Sequence, residues 1–321
     1  MRQFQGDKSI LFTLPACIAV PISPAATADQ NLLSLVPPGA QAVAMISSAS
    51  PSVVRGHYVL TLRENGIDFN DFLALTGADS SLVVDQLIYV VKTDNARMPN
   101  KHSLLASGNF DRESIYRSAL RGGASVTRYR GLPVLVVQPF ARERRELNEV
   151  RWLAIPDSSV LLFGSVASVQ EELDRHLDRS TPDPRLVAKL ARLRRDDNCW
   201  NVLFPLAWTS ELREALAVLN PRLAELLSDG DVLQFGIHYG RQVEFEYEVT
   251  TTSRQTALAM SASLTEALSG LEKESALFQS TDAITEENTV RSTIKVSIAR
   301  YNTWLTDVLE RQQGRNGASR F

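Results

Sequence analysis

The chain has 321 residues, with 34 Lys and Arg, 37 Asp and Glu, and a formal net charge of −3 at pH 7. This balanced, mildly acidic composition excludes a global electrostatic attraction to nucleic acid or to anionic membranes. With 44% apolar residues, the chain is typical of a soluble globular protein and is long enough for two cores of ordinary domain size.

The first 28 residues predict a signal peptide that is not part of the fold. Arg2 and Lys8 precede an apolar run of about 12 residues, and the segment closes with the small residues Ala26, Thr27 and Ala28. The run is shorter than the roughly 20 residues that a membrane-spanning helix needs. We therefore expect cleavage before Asp29, a periplasmic or secreted protein, and no transmembrane segment after signal removal.

The two cysteines bear on the prediction of export. Cys17 lies in the signal, and the residues before it loosely resemble a bacterial lipobox, so a lipid anchor through Cys17 is the alternative. Pro15 and the short apolar run before Cys17 count against that alternative. Cleavage before Asp29 leaves Cys199 alone, and its apolar surroundings predict a packed, inert thiol.

The mature chain begins with a short strand and an ambiguous stretch, and its clearest elements lie between residues 86 and 177. The predicted elements are a strand at 86–92, a strand at 103–110, a helix between the Asp111 cap and the Gly122-Gly123 stop, hairpins at 125–137 and 151–163, and a helix at 166–177. A polar loop at 93–101 separates the first two strands and predicts that His102 lies at the surface.

The segment Thr181–Pro184 is proline-rich and is the best candidate for a domain boundary. The elements predicted after it are a helix at 185–195, a strand at 199–204, a helix capped by Ser210, a hairpin at 232–250, a helix at 254–274, a strand at 289–297 and a final helix capped by Ser297. The order of strand, helix, hairpin and helix thus occurs on both sides of the boundary.

Because the strands come in hairpins separated by helices, we expect an α+β fold of two related halves. Each half should be a mostly antiparallel sheet with helices packed on one face. The expected organisation is a signal peptide at 1–28, an N-terminal domain at 29–180, a C-terminal domain at 181–311 and a flexible tail at 312–321.

Four short motifs carry a resemblance to a known class of proteins. They are Leu75-Thr-Gly77, the strand at 86–92, Ala106-Ser-Gly-Asn-Phe-Asp111 and Tyr129-Arg-Gly-Leu-Pro133. Over roughly residues 70–180 the chain resembles uncharacterised exported bacterial proteins. The resemblance implies export and a duplicated α+β structure, and it implies no activity.

The sequence offers no catalytic residue, metal site or cofactor motif. Its four histidines are each more than ten residues apart, so they form no short-spaced ligand pair. Ser292 and Lys295 match an SxxK motif, but positions three apart on a strand face opposite ways. We therefore expect neither a cofactor nor a catalytic serine here.

The most distinctive stretch is the acidic strand at 243–249. Alternation places Glu244, Glu246 and Glu248 on one face and apolar side chains on the other, so we expect a half-buried strand with a solvated acidic face. A three-residue loop is needed to pair the two apolar sets of this hairpin, and it also sets His238 beside Glu244. Trp208, just past a strand end, is a further candidate for binding.

These observations favour an exported, non-enzymatic binding or scaffold protein of the bacterial envelope. Its partner is an unidentified protein or envelope component, and its candidate binding residues are Glu244, Glu246, Glu248, His238 and Trp208. The alternative is a hydrolase whose site is assembled from residues distant in sequence, around His57 or His238.

Overall fold

A computed structural model of the protein describes residues 29–47, 84–92, 101–137, 150–193, 199–204, 230–239, 241–274, 278–301 and 303. These residues fall into two compact units, an N-terminal unit that ends at Cys199 and a C-terminal unit that begins at Trp200. Mostly antiparallel strands with a few helices make up the described chain, which confirms the α+β class. The predicted signal and tail lie outside the described residues, and the boundary at residue 181 stays a prediction.

The N-terminal unit is an antiparallel sheet with four described helices. In this sheet the strands lie in the order β1-β2-β3-β7-β6-β5-β4. Its elements are α1 (Gln30–Leu35), β1 (Ala42–Ser47), β2 (Val84–Lys92), β3 (Lys101–Gly108), α2 (Arg112–Arg121), β4 (Ser125–Tyr129), β5 (Leu132–Val137), β6 (Arg151–Asp157), β7 (Val160–Ser165), α3 (Val166–Leu177) and α4 (Pro184–Leu190).

Helices pack on both faces of this sheet, so the prediction of helices on one face is wrong for the N-terminal unit. Ser103 and Leu104 are consecutive strand residues and point to opposite faces. Ser103 donates a hydrogen bond to Glu172 of α3, whereas Leu104 shares a core with Ile115 of α2. The physical reason is that β3 and β7 are apolar on both faces, as in the fully buried run 160–163.

The helix termini follow from local capping chemistry. Asp111 Oδ1 accepts from the Ser114 backbone N–H at 3.1 Å, which confirms the predicted cap of α2. The bounds predicted for α3 are also correct, although its cap is Ser165, whose Oγ accepts from the Ser168 N–H. Leu120 of α2 is 45% exposed, whereas Ile115 and Ala119 make the core contacts of this helix.

Two strands of the N-terminal sheet approach closely at Gly164. A Cβ atom at this position would lie 2.4 Å from the His102 carbonyl oxygen and 2.8 Å from the Ser103 Cα. Only glycine fits between β3 and β7 at this point, because any side chain would displace the neighbouring backbone.

The C-terminal unit is built on strands in the order β11-β12-β10-β9-β8. Its elements are β8 (Cys199–Leu203), β9 (Gly230–Tyr239), β10 (Gln242–Thr251), α5 (Arg254–Glu274), β11 (Phe278–Glu286) and β12 (Thr289–Ser297). Helix α5 contacts β10, β11 and β12. The Tyr301 ring, in the helical turn after β12, packs on Tyr239 and Phe245 and closes the apolar side of this sheet.

Cys199 is buried, as predicted, but it is disulfide-bonded and is not the free thiol that the sequence predicted. Its bonding partner lies outside the described residues. Among the helices that the structure describes, none combines the length and the apolar character needed to cross a membrane.

Candidate functional site

The acidic strand is β10, and its neighbours on both sides fix which side chains share a face. Tyr239 lies opposite Val243, Ile237 opposite Phe245, and Phe235 opposite Tyr247. This register confirms the three-residue connection predicted for the hairpin. The apolar residues therefore lie together on the side of Tyr301, and the glutamates lie on the other side.

On that other side, the polar face, charged residues of both signs alternate across three strands. Strand β12 places Lys295 opposite Glu244 and Arg291 opposite Glu248. Strand β9 places His238 opposite Glu244, as the sequence predicted. The polar face is defined here by Gln234, His238, Glu244, Glu246, Glu248, Ile284, Glu286, Arg291, Thr293 and Lys295.

Glu248 differs from the other two glutamates because it is buried, with 4% of its surface exposed. Arg291 Nη2 lies 2.8 Å from Glu248 Oε2, and Gln234 Nε2 donates to Glu248 Oε1 at 3.1 Å. The expectation of a uniformly solvated acidic face is therefore wrong at this position. An internal guanidinium binds the carboxylate that the sequence offered to an external partner.

Arg291 is the electrostatic centre of the polar face. Its hydrogen bond to Glu248 raises the pKa of its guanidinium, and the charges of Glu286 and Glu246 raise that pKa further, against a smaller opposing effect of burial. Three carboxylates therefore surround one guanidinium. Across the described polar face, the carboxylate residues outnumber the permanent cations Arg291 and Lys295, which leaves an acidic surplus.

Exposure varies along the strand. Glu244 and Glu246 are half-buried, as are His238 and Lys295, so their polar ends reach solvent. Ile284 on the adjacent strand is 50% exposed and adds an apolar contact surface to the same face. The accessible part of the polar face is thus acidic, with one exposed aliphatic side chain beside it.

Two candidate residues are not placed by the structure. Trp208 and His57 lie outside the described residues, so their predicted roles stay predictions. The SxxK residues, by contrast, are placed: Ser292 lies opposite Tyr247 on the apolar side, and Lys295 lies opposite Glu244 on the polar face. The expectation that these two face opposite ways is confirmed. Among the described residues, no group of three or more His, Cys, Asp or Glu could hold a metal ion.

A second polar cluster lies in the N-terminal unit, and sequence reasoning missed it. His102 was expected in a surface loop, but it lies in β3 and is largely buried, because the strand begins at Lys101. Its Nδ1 is 2.7 Å from Tyr89 Oη, and the two rings are stacked. Burial and then the charge of Arg151 lower the pKa of His102 to about 4, so the imidazole is neutral at pH 7.

No family model matches this chain, and no curated protein matches it either. The assignment of function therefore depends on the geometry of these residues alone.

Proposed function

We propose that this protein is an exported, non-catalytic binding protein of the bacterial envelope, and that its polar face binds a basic segment of a protein partner. The observation that carries the proposal is the acidic surplus around Arg291, with Glu244 and Glu246 half-buried at the surface. Oppositely charged patches steer association and set specificity, so this face is suited to bind a Lys- or Arg-rich segment of a partner.

The mixed charge of the face gives it a defined pattern. Glu248 and Arg291 form an ion pair within the face. Glu246 lies opposite Gly236 on one side and Thr293 on the other, so neither of its cross-strand neighbours is charged. The exposed Ile284 adds an apolar contact at the edge of the same surface.

Export is supported by how the chain is arranged at Asp29. The Asp29 carboxylate accepts from the Asn31 N–H and caps α1, while the Asp29 backbone nitrogen donates to Gln86 Oε1 at 2.9 Å. Helix α1 also buries Leu32, Leu33 and Leu35. A chain that begins at Asp29 keeps these contacts.

The proposal includes an internal duplication of the α+β unit. It is supported by a shared local order, since a hairpin followed directly by a helix occurs as β6-β7-α3 in one unit and as β9-β10-α5 in the other. Two related sheets of this kind suit a scaffold with more than one binding surface.

The binding proposal is tested by isothermal titration of the purified chain with a decalysine peptide at low and at physiological salt. We expect measurable binding that weakens as salt rises, because the interaction is electrostatic. The double variant Glu244→Gln/Glu246→Gln should weaken binding at least several-fold. The control Glu266→Gln removes an exposed carboxylate from α5 and should leave the affinity unchanged. Equal affinities for wild type and double variant contradict the proposal.

The export proposal is tested by N-terminal sequencing of the protein isolated from the envelope or medium. We expect the sequence to start at Asp29. Such a chain holds Cys199 as its only cysteine, so a maleimide reagent should add one label after denaturation without a reductant. An intact Met1 with no reactive thiol, or a lipidated Cys17, contradicts this processing.

A further inference from the structure

The cluster around His102 has the chemistry of a binding site that is separate from the polar face. Tyr89 lies opposite Leu104 in the sheet register, so Tyr89 and His102 lie on the face that carries the α2 core. Arg151 lies on the same face and places its guanidinium carbon 5.8 Å from the centre of the Phe163 ring. Two neutral polar rings and one cation thus meet on one face of the N-terminal sheet.

A count of protons shows how many hydrogen-bond donors remain on Tyr89 and His102 after they bond to each other. At pH 7, Tyr89 has one O–H, and neutral His102 has one ring N–H. Only one of these protons can lie in the 2.7 Å hydrogen bond between Tyr89 Oη and His102 Nδ1. Within the described residues neither side chain makes another hydrogen bond. Whichever tautomer is present, one donor of the pair has no acceptor among the described residues.

Arg151 sets the sign of the ligand. Its charge lowers the pKa of both Tyr89 and His102, although burial raises the pKa of Tyr89 by more. The same charge therefore reaches both rings. A guanidinium presents its N–H donors in a planar fork, a geometry that matches the paired oxygens of an oxyanion.

We propose that Tyr89, His102 and Arg151 form a binding site for a small oxyanion, a carboxylate or a phosphate. The remaining donor of the Tyr89–His102 pair and the guanidinium of Arg151 bind the anionic oxygens. The ring of Phe163 keeps the guanidinium on the sheet face through a cation–π contact.

The site is tested by nuclear magnetic resonance of the histidine side chains in the whole isolated chain. Sodium acetate and sodium phosphate are titrated separately, with sodium chloride holding the ionic strength constant. We expect a saturable change in the His102 ring signals and a rise of its pKa from about 4, because a bound anion favours the imidazolium. Saturation by acetate alone assigns the site to carboxylates, and saturation by phosphate alone assigns it to phosphates.

Variants connect the response to the named residues. Arg151→Gln should abolish the saturable response, while the control Arg121→Gln, on the exposed side of α2, should retain it. Where the Tyr89 O–H is the remaining donor, Tyr89→Phe should weaken binding about twofold to tenfold, the usual range for one neutral hydrogen bond; equal binding assigns the donor to His102. If Arg151→Gln does not fold, Arg151→Lys decides the question, because it keeps the charge, loses the planar fork and should weaken binding. The site is refuted by a His102 signal that neither anion saturates, or by equal responses in wild type and the folded Arg151 variant.

Discussion

The buried carboxyl of Glu172 makes the stability of the N-terminal unit depend on pH. Glu172 is fully buried on α3, where Ser103 Oγ donates to its Oε1 and its Oε2 has no hydrogen-bond partner among the described residues. Burial raises the pKa of this carboxyl well above its ordinary value, the Ser103 hydrogen bond opposes that rise, and the charge of Glu171 adds to it. The folded protein therefore holds a proton that the unfolded chain releases above about pH 4.3.

The sign and the size of the effect follow from linkage. The contribution of Glu172 to stability is fully present below about pH 4.3, and it is lost as pH rises toward the folded-state pKa. The loss is about 1.4 kcal/mol for each pH unit in that interval.

The substitution Glu172→Gln isolates this term because glutamine is nearly isosteric and does not titrate. Its NH2 group leaves a buried donor unpaired, which costs about 1–3 kcal/mol at every pH. We therefore expect the variant to be less stable than wild type at pH 4, and we expect the difference to shrink as pH rises toward 8. The free energy of unfolding is measured by urea titration of the whole chain, followed by circular dichroism, between pH 4 and pH 8.

A control substitution separates the effect of losing a negative charge from the effect of losing a buried carboxyl group. Glu113→Gln removes an exposed carboxylate from α2 of the same unit, so it reports the effect of charge alone. The reasoning is refuted if the stability difference between Glu172→Gln and wild type is the same at every pH. It is also refuted if Glu113→Gln reproduces the pH-dependent difference.

Three further predictions concern packing, charge pairing and domain organisation. Gly164→Ala should destabilise the N-terminal unit by about 1–3 kcal/mol or more, measured by urea unfolding, because its Cβ would overlap the His102 carbonyl; an unchanged midpoint contradicts this. Glu248→Gln should cost about 1–3 kcal/mol, since it leaves the Arg291 guanidinium without its charged partner, and the cost should persist in 1 M salt. Limited proteolysis should cut first at residues 180–184, and a first cut at residues 194–198 would place the boundary at the end of the N-terminal unit.

The sequence was most informative where local chemistry decides structure. The bounds of α3, α5 and β12 follow from periodicity and capping residues alone, as does the register of β9 with β10. In the hairpin, parity requires a connection with an odd number of residues, because any even-length connection sets apolar residues against glutamates. The same register places Gln234 opposite Glu248, so the pairing of these two residues could have been predicted from the sequence.

The sequence was least informative where a residue's environment comes from distant parts of the chain. Arg291 meets Glu248 across 43 positions, and no local pattern indicates that β12 pairs with β10. Tyr89 and His102 are only 13 residues apart, but the polar loop before β3 concealed that His102 is a strand residue. Helix α1 and strand β11 were not predicted, because the first is short and the second has no clear alternation.

The central claim is that the polar face of the C-terminal unit binds basic chain, and amide shift mapping tests it most directly. The isotopically labelled protein is titrated with decalysine, and perturbed backbone amides are assigned to strands. We predict that the largest shifts lie on β10 and β12 around Glu244, Glu246 and Thr293, and that Glu244→Gln/Glu246→Gln removes them. Shifts centred on the N-terminal unit, or unchanged shifts in the double variant, would contradict the account.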